Sequence, residues 1–435
     1  MSTGVYYSGA TSALIRTLIP LVSDTAQGMA RRILFRSPQP PHAHDVDASL
    51  APSFSSPAEL AHYQRGELLS AQHQPVLGTH NLYNPATSYH FSYVTEDARG
   101  RKLAATGAAF FSHRTHPFGI RPTIAFAPST QGVASHCDPS VSCVVGVAGY
   151  IKPALDAIVS YEQPVINYFL ARGANVVITD YPRDPDLGIQ LYCDHQSGAF
   201  ALWDAVLAAQ SLGLNPEAPV GVWGFSQGGG AGAALVEHLS TQSQCSAHAA
   251  VIGAPPSRLD EVLTYVDGGL ATGVIAYTTA GLLVSSADIR SEILGQLDNS
   301  GLKKVLDAST TCSIGVALHY GWQNSSQWTT SHRRLAELLD ETPAVKRELE
   351  DRRLGKTPPT MPVLLWGSTH DDVVPISQVR ELKQLWEKQG ARIQWREYSL
   401  PRIPGRSCIN HFLPYYQHFT SDASWLLDHL SSKTG

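Results

Sequence analysis

The stretch V-G-V-W-G-F-S-Q-G-G-G over residues 220–230 is a short apolar run followed by a serine between glycines. A serine on a tight strand-to-helix turn needs strained backbone angles, and side chains two residues away on either side would collide, so both places are glycine. The turn presents the Ser226 hydroxyl above the carboxyl ends of the strands and at a helix N-terminus, where N–H groups favour negative charge. The pattern predicts a nucleophilic serine.

Short apolar runs alternate with helix-like stretches on both sides of this motif. The predicted strands of the main sheet are residues 123–126, 175–179, 220–223, 249–252, 362–366 and 393–396. Helices are predicted at residues 199–212, 229–239, 377–389 and 421–430. Apolar strands separated by helices are typical of a parallel sheet buried on both faces. Two earlier runs, 89–94 and 108–111, flank a turn at 96–100 and predict an antiparallel hairpin. The fold class is therefore α/β, with a mostly parallel central sheet opened by an N-terminal antiparallel hairpin.

The regular alternation stops between about Pro256 and Pro359. This interval is far longer than a simple crossover between two strands needs. We predict an inserted, mainly helical cap over residues 256–359, within a domain that covers residues 51–435. Residues 1–50 contain a proline-rich, linker-like stretch near residue 40 and are predicted to form a flexible peripheral segment.

Composition excludes several classes of protein. Of the 435 residues, 43% are apolar and 16% are charged, so the chain is neither disordered nor fibrous. The net charge is −5 and the basic residues are scattered, which gives no basic surface for nucleic acid. Six cysteines without a Cys-x-x-Cys spacing indicate neither a disulfide scaffold nor a metal site of that type.

One uncharged stretch, residues 268–287, is long enough to cross a bilayer. Glycine, serine and threonine dilute it, so we predict a buried helical segment and no transmembrane span. Near the N-terminus, Arg16 interrupts the apolar residues 13–22 and no positive cluster precedes them, so no clear secretory signal is predicted. The compartment stays open.

A serine hydroxyl alone is a weak nucleophile, so an orienting acid and a base should follow it. In α/β-hydrolases the chain order is serine, acid, histidine. Asp371 and Asp372 follow the predicted strand 362–366 and precede a Val-Pro pair that leads into a helix. We assign the acid to Asp371 because the D-x-x-V-P spacing fits it, and Asp372 stays the alternative. Both aspartates could instead cap the helix that begins near residue 376.

The base is assigned by position among 18 histidines. His411 lies between the last predicted strand and the last predicted helix, where the base of such enzymes belongs. His418 is the alternative, but it lies nearer to the terminal helix or inside it. For the oxyanion, one donor is the backbone N–H of Gln227, and the second is assigned to the N–H of Thr130 in the loop after an early strand.

The sequence resembles the secretory lipases of the lipase A type, capped α/β-hydrolases of yeasts and actinobacteria. The resemblance runs from about Phe54 to the C-terminus. The segments that carry it are residues 54–57, 66–69, 93–101, 137–140, 179–181, 224–229 and 267–270.

The resemblance implies an α/β-hydrolase fold and a carboxylic ester hydrolase acting on acyl esters, with Ser226, Asp371 and His411 as its triad. It also implies a cap that lines an acyl tunnel, a disulfide between Cys137 and Cys312, and secretion.

Two features depart from the family pattern. Many relatives carry His-Gly-Thr where this chain has Pro-Ser-Thr at 128–130, and His370 adds a residue between Gly367 and Asp371. The first departure bears on the geometry of the loop that holds the oxyanion.

These observations predict a serine esterase or lipase without cofactor or metal that cleaves a small-molecule or lipid ester. A serine peptidase or acyltransferase on the same fold is an alternative. A catalytically inactive acyl-binding protein is another, supported by the altered loop at 128–130. Acyl chain length, the choice between lipase and esterase, and oligomeric state stay open.

Overall fold

The structure is a computed structural model that describes residues 59–75, 86–116, 119–150, 155–242 and 247–431. The predicted peripheral segment, residues 1–50, lies outside these ranges, so its prediction stays a prediction.

In the described part of the chain, the central sheet has nine strands in the order β1-β2-β3-β7-β4-β8-β9-β10-β11. Strands β1, β2 and β3 are antiparallel, and β3 joins antiparallel to β7. All other neighbours in the sheet are parallel. The strands are β1 (Leu68–Gln74), β2 (Ala86–Glu96), β3 (Lys102–Ser112), β4 (Thr123–Ala127), β7 (Asn175–Thr179), β8 (Val220–Phe225), β9 (Ala249–Gly253), β10 (Val363–Ser368) and β11 (Ile393–Tyr398). The predicted α/β class is confirmed.

The strands at the centre of this sheet are apolar because helices cover both faces. Every residue of β4, β7, β9 and β10 is buried, which explains the apolar run at the centre of each strand. The helices outside the β9–β10 interval are α1 (Pro139–Val145), α2 (Gln163–Ala171), α3 (His195–Gln210), α4 (Gln227–Leu239), α11 (Ile376–Lys388) and α12 (Ile409–Ser431). A separate antiparallel pair, β5 (Val147–Tyr150) and β6 (Asp156–Val159), precedes α2.

The interval between β9 and β10 is helical. Its helices are α5 (Leu259–Val266), α6 (Gly273–Leu283), α7 (Ala287–Gln296), α8 (Asn299–Ala308), α9 (Ser313–Tyr320) and α10 (Pro343–Asp351), with short 3₁₀ turns between them. We refer to residues 259–351 as the helical segment. The apolar stretch 268–287 contains α6, which is almost wholly buried, so the prediction of a buried helix is confirmed. Among the described helices, none combines the length and the apolar character that crossing a membrane requires.

A disulfide joins the helical segment to the loop after β4. Cys137 and Cys312 are bonded, with their Cα atoms 5.4 Å apart, as the family resemblance implies. The N–H of Ser313 donates to the carbonyl of Gln131 at 3.0 Å, and Gly132 pairs with Cys312 in an isolated bridge. The helical segment therefore contacts the sheet side directly beside the loop assigned to the oxyanion.

The terminal helix begins earlier than its sequence predicts. A helix was expected over residues 421–430, but α12 starts at Ile409 and runs through Pro414. A proline inside a helix removes one backbone donor and usually marks a break. Here the first turns bury His411, Pro414 and Tyr415, and this packing outweighs the local cost. His411 consequently lies in the first turn of α12 and not in the preceding loop.

Candidate active site

Ser226 connects β8 to α4 with no intervening loop. Its φ angle is +57°, in a region of backbone conformation that residues other than glycine rarely adopt. A Cβ atom at Gly224 would lie 2.1 Å from the carbonyl oxygen of Gly228, and one at Gly228 would lie 1.9 Å from that of Ala127. Both glycines of the motif are therefore required by close backbone contacts around the serine.

His411 lies between the serine and an aspartate. Its Nε2 is 2.9 Å from Ser226 Oγ, and its Nδ1 is 2.7 Å from Asp371 Oδ2. The imidazole is buried and stacks on the Phe225 ring, with centroids 4.6 Å apart. These contacts fix both the position and the plane of the ring, so that each ring nitrogen faces one partner.

Asp371 and Asp372, the two candidate acids, face different partners. Oδ1 of Asp371 accepts the N–H groups of Val373 at 2.9 Å and Val374 at 2.8 Å, which leaves Oδ2 for the histidine. Asp372 instead accepts from the side-chain amide of Asn410 at 3.2 Å. Burial raises the pKa of Asp372, and the charge of Asp371 acts in the same direction. The structure thus brings Asp371, and not Asp372, to the imidazole.

The alternative base, His418, lies two turns further along α12. Its ring stacks on Tyr398 with centroids 3.8 Å apart, and burial lowers its pKa. It is absent from the residues that line the cavity around Ser226.

Gln227 and Thr130, assigned to the oxyanion, both line the cavity that contains Ser226. Gln227 is the first residue of α4, and the first N–H groups of a helix have no partner within it. The Thr130 hydroxyl lies 3.1 Å from Gln227 Oε1, so Thr130 and Gln227 are in direct contact. The same hydroxyl lies 2.7 Å from the Tyr192 hydroxyl. The N–H of Ser129 donates to Glu162 and is turned away from this side.

The cavity has a volume of about 350 Å³ and is mostly apolar. The helical segment supplies much of its wall from α5, α6, α9 and the 3₁₀ turn before α6. These residues are Leu259, Val262, Leu263, Leu270, Ala271, Val274, Tyr277, Thr278, Ser313, Ile314, Val316 and Ala317. Ser226 and His411 lie together on this wall, and polar side chains placed in a mostly apolar cavity are typical of small-molecule sites.

Two free cysteines, Cys193 and Cys408, also line the cavity. Burial raises the pKa of Cys408 to about 12, and the charges of Asp372 and Asp371 add to this effect. Burial likewise raises the pKa of Cys193 to about 12. Because the thiolate is the reactive form, a raised pKa makes both thiols poor nucleophiles at neutral pH.

One group of side chains has the composition of a metal site: His136, Cys137, Asp156 and Cys312. The disulfide engages both sulfur atoms. Asp156 accepts the N–H groups of Cys312 at 2.9 Å and of Gly315 at 3.0 Å at the start of α9. This group therefore links the helical segment covalently to the loop after β4, through Cys137, and by hydrogen bonds to β6, through Asp156.

Sequence reasoning missed Tyr161 and Glu162, which contact the loop beside Ser226. They follow β6, in a part of the chain with no motif, and they reach the site only through the fold. Tyr192 was missed for the same reason. No local signal in the sequence marks these residues.

The family profile described as secretory lipase matches residues 152–435, about two thirds of the chain. The chain belongs to the secretory lipase family. Lipase 10 of Candida albicans is 24% identical over 355 residues, which covers 78% of this chain and 73% of that protein. A probable inactive lipase of Mycobacterium tuberculosis is 22% identical over 348 residues, covering 79% and 75% of the two chains.

Solved structures agree with the fold. Candida antarctica lipase A superposes with a TM-score of 0.73 over 91% of this chain and 88% of that one, at 18% identity. The cell wall degrading esterase LipA of Xanthomonas oryzae gives a TM-score of 0.65 over 84% and 99%, at 16% identity. The predicted α/β-hydrolase fold and the resemblance to secretory lipases are confirmed.

Proposed function

We propose that this member of the secretory lipase family hydrolyses carboxylic esters, as a lipase or esterase, through an acyl-enzyme on Ser226. The observation that carries the proposal is the hydrogen-bonded series Ser226–His411–Asp371 on the wall of an apolar cavity. A serine, an imidazole and a carboxylate in this order are the groups that acyl transfer requires.

In this proposal, Nε2 of His411 accepts the hydroxyl proton while Ser226 Oγ attacks the ester carbonyl carbon. Asp371 accepts the Nδ1–H, which keeps Nε2 unprotonated before attack and stabilises the imidazolium afterwards. The N–H groups of Gln227 and Thr130 donate to the oxyanion of the tetrahedral intermediate. His411 then gives its proton to the leaving alkoxide. A water molecule attacks the acyl-enzyme by the same steps and releases the carboxylic acid.

The apolar wall favours an ester with a hydrocarbon acyl chain, since the buried methylenes leave water at about 0.8 kcal/mol each. In this proposal residues 256–359 act as a cap, and the side chains of α5, α6 and α9 contact the acyl chain. The proposal includes no cofactor, because the serine, histidine and aspartate supply the nucleophile and move the protons.

An inactive acyl-binding protein is the second candidate. It is favoured by the relative that is named a probable inactive lipase and by the altered loop at 128–130. Such a protein would use the same cavity without turnover. Reactivity of Ser226 distinguishes the two candidates.

The test is labelling with a fluorophosphonate probe, measured by intact mass, together with hydrolysis of p-nitrophenyl esters of increasing chain length. We expect one adduct on the wild type, none on Ser226→Ala, and a loss of turnover of about 10⁴-fold or more in that variant. Ser407→Ala is the matched control, since Ser407 lines the same cavity, and it should keep the adduct. Folded wild-type protein without an adduct would favour the binding protein.

A further inference from the structure

Residues 128–131 form the loop that would hold the oxyanion. Phenol and carboxyl groups from other parts of the fold hydrogen-bond to its backbone. The Tyr181 hydroxyl donates to the carbonyl of Pro128 at 2.6 Å. The Tyr161 hydroxyl donates to the carbonyl of Thr130. Because both contacts are made to main-chain atoms, they fix the backbone path of this loop rather than any one side chain. We call residues 128–131 the oxyanion loop.

Glu162 makes a further main-chain contact to the oxyanion loop. Its Oε2 accepts the N–H of Ser129 at 2.8 Å, and its Oε1 lies 3.5 Å from the Tyr415 hydroxyl. The side chain of Gln131 also hydrogen-bonds to this carboxyl group. Glu162 is only 1% exposed, so water does not solvate it. The residue next to Thr130 is thus bound to a buried ionisable group.

Among the described residues, the titratable groups that face Glu162 carry no positive charge. They are phenols and a thiol from four parts of the fold: Tyr161 beside it, Tyr181 after β7, Tyr415 and Tyr416 on α12, and Cys143 on α1. Burial raises the pKa of each, and the charge of Glu162 adds to the effect, so all five are neutral at physiological pH. Burial also raises the pKa of Glu162 itself, to about 8. The carboxyl group is therefore mostly protonated at neutral pH.

We propose that Glu162 is a positioning residue that holds the oxyanion loop in its working form while its carboxyl group is protonated, and that ionisation of this group suppresses ester hydrolysis. This inference rests on the function proposed above. A carboxylate on Glu162, bound to the N–H of Ser129, would repel the negative charge that develops on the oxyanion beside Thr130. It would also be a buried charge with no cationic partner in the described part of the chain, which favours water penetration and a shift of the loop.

The direction of the pH effect follows from the protonation states. Hydrolysis is fastest while Glu162 is protonated and declines as the pH rises through about 8. The free energy of unfolding also decreases as the pH rises, because the folded state holds this proton more tightly than the unfolded state does. The contribution to the free energy of unfolding is therefore complete below the ordinary glutamate pKa and is lost as the pH rises through the folded-state value.

The experiment compares kcat and KM for a soluble p-nitrophenyl ester between pH 6 and pH 10 in wild type and Glu162→Gln. Glutamine keeps an acceptor for the Ser129 N–H and does not ionise. We expect wild-type kcat to fall by about tenfold per pH unit above the transition, with KM nearly constant. Glu162→Gln should keep most of the neutral-pH kcat and lose this alkaline decline. The same decline in both proteins would overturn the inference.

Glu237→Gln is the matched control. Glu237 is also a carboxyl group whose pKa burial raises, but it contacts the N–H of Gly355 and the indole N–H of Trp386, away from the oxyanion loop. Its variant should keep the wild-type alkaline decline. Loss of the decline in this control as well would show that the effect belongs to buried carboxyl groups in general and not to Glu162.

Two further measurements keep the inference testable if Glu162→Gln does not fold. A wild-type kcat that stays constant up to pH 10, with circular dichroism unchanged, would overturn the inference without any variant. Fluorophosphonate labelling at pH 7 separates it from the proposed function. Absence of an adduct on Ser226 removes both proposals, whereas an adduct with no alkaline decline removes only the role of Glu162.

Discussion

The sheet side of the candidate site and the helical segment build their parts of the cavity in different ways. On the sheet side, backbone hydrogen bonds fix the positions of the polar residues. The N–H of Ser226 donates to the carbonyl of Gly253 at 3.0 Å, and two backbone N–H groups donate to the Asp371 carboxylate. The helical segment contributes mainly apolar side chains such as Val262 and Val274, held by packing. Packing tolerates volume-conserving exchange, whereas a hydrogen-bonded series fails when one atom is replaced. We therefore expect the sheet side to determine the rate and the helical segment to determine the preference among substrates.

The largest effect is expected at the acid. Asp371→Asn replaces the acceptor of the His411 Nδ1–H by an amide, which favours the wrong imidazole tautomer, and kcat for ester hydrolysis should fall by about 10⁴-fold. The matched variant is Asp372→Asn, which alters the contact with Asn410 and should lose far less activity. Steady-state kinetics of the two purified variants provide the comparison. Equal losses would mean that the two neighbouring carboxylates share the role assigned to Asp371.

A second prediction concerns the link between the two regions. The Cys137–Cys312 disulfide closes a loop with a sequence separation of 175 residues. Its removal in the double variant Cys137→Ser/Cys312→Ser should lower the free energy of unfolding by about 2–5 kcal/mol, measured by urea denaturation. Dithiothreitol should destabilise the wild type and leave the double variant unchanged. Identical unfolding midpoints in wild type and variant would show that packing alone joins the regions.

The smallest effect is expected from the cavity wall of the helical segment. Val274→Phe, on α6, adds volume inside the cavity. It should lower the ratio of kcat/KM for long-chain to short-chain p-nitrophenyl esters by about tenfold, because discrimination by the walls of an apolar pocket has this magnitude. Leu306→Phe is the control, since this residue is exposed on α8. A uniform loss for all chain lengths would place Val274 with the rate-determining groups of the sheet side.

The sequence predicts the central sheet well because its strands are buried on both faces. The strand predicted at residues 249–252 is observed as Ala249–Gly253, and that at 362–366 as Val363–Ser368. The first strand, Leu68–Gln74, was not predicted, since it lies at the sheet edge and only its last residue is buried. The pair β5 and β6 was missed because each strand has only four residues.

The candidate site divides in the same way. Ser226, Asp371 and His411 could be assigned because each follows a strand in a fixed order along the chain. Glu162 could not be assigned, since its contact with Ser129 spans 33 positions along the chain and arises only in the folded structure. Local sequence patterns identify residues at the ends of strands. They do not identify residues, such as Glu162, that hydrogen-bond to the site from a distant part of the chain.

The attachment of the helical segment bears on how an ester would reach Ser226 in the function proposed above. The segment follows the carboxyl end of β9 and precedes the amino end of β10. Because these neighbouring strands are parallel, its two connections lie at opposite ends of the strands. These two connections define an axis about which the helical segment could rotate relative to the sheet. The disulfide adds a third point beyond β4, on the far side of β8 and away from this axis. We therefore expect the helical segment not to rotate as one rigid body, so that entry to the cavity would require local displacement of individual helices.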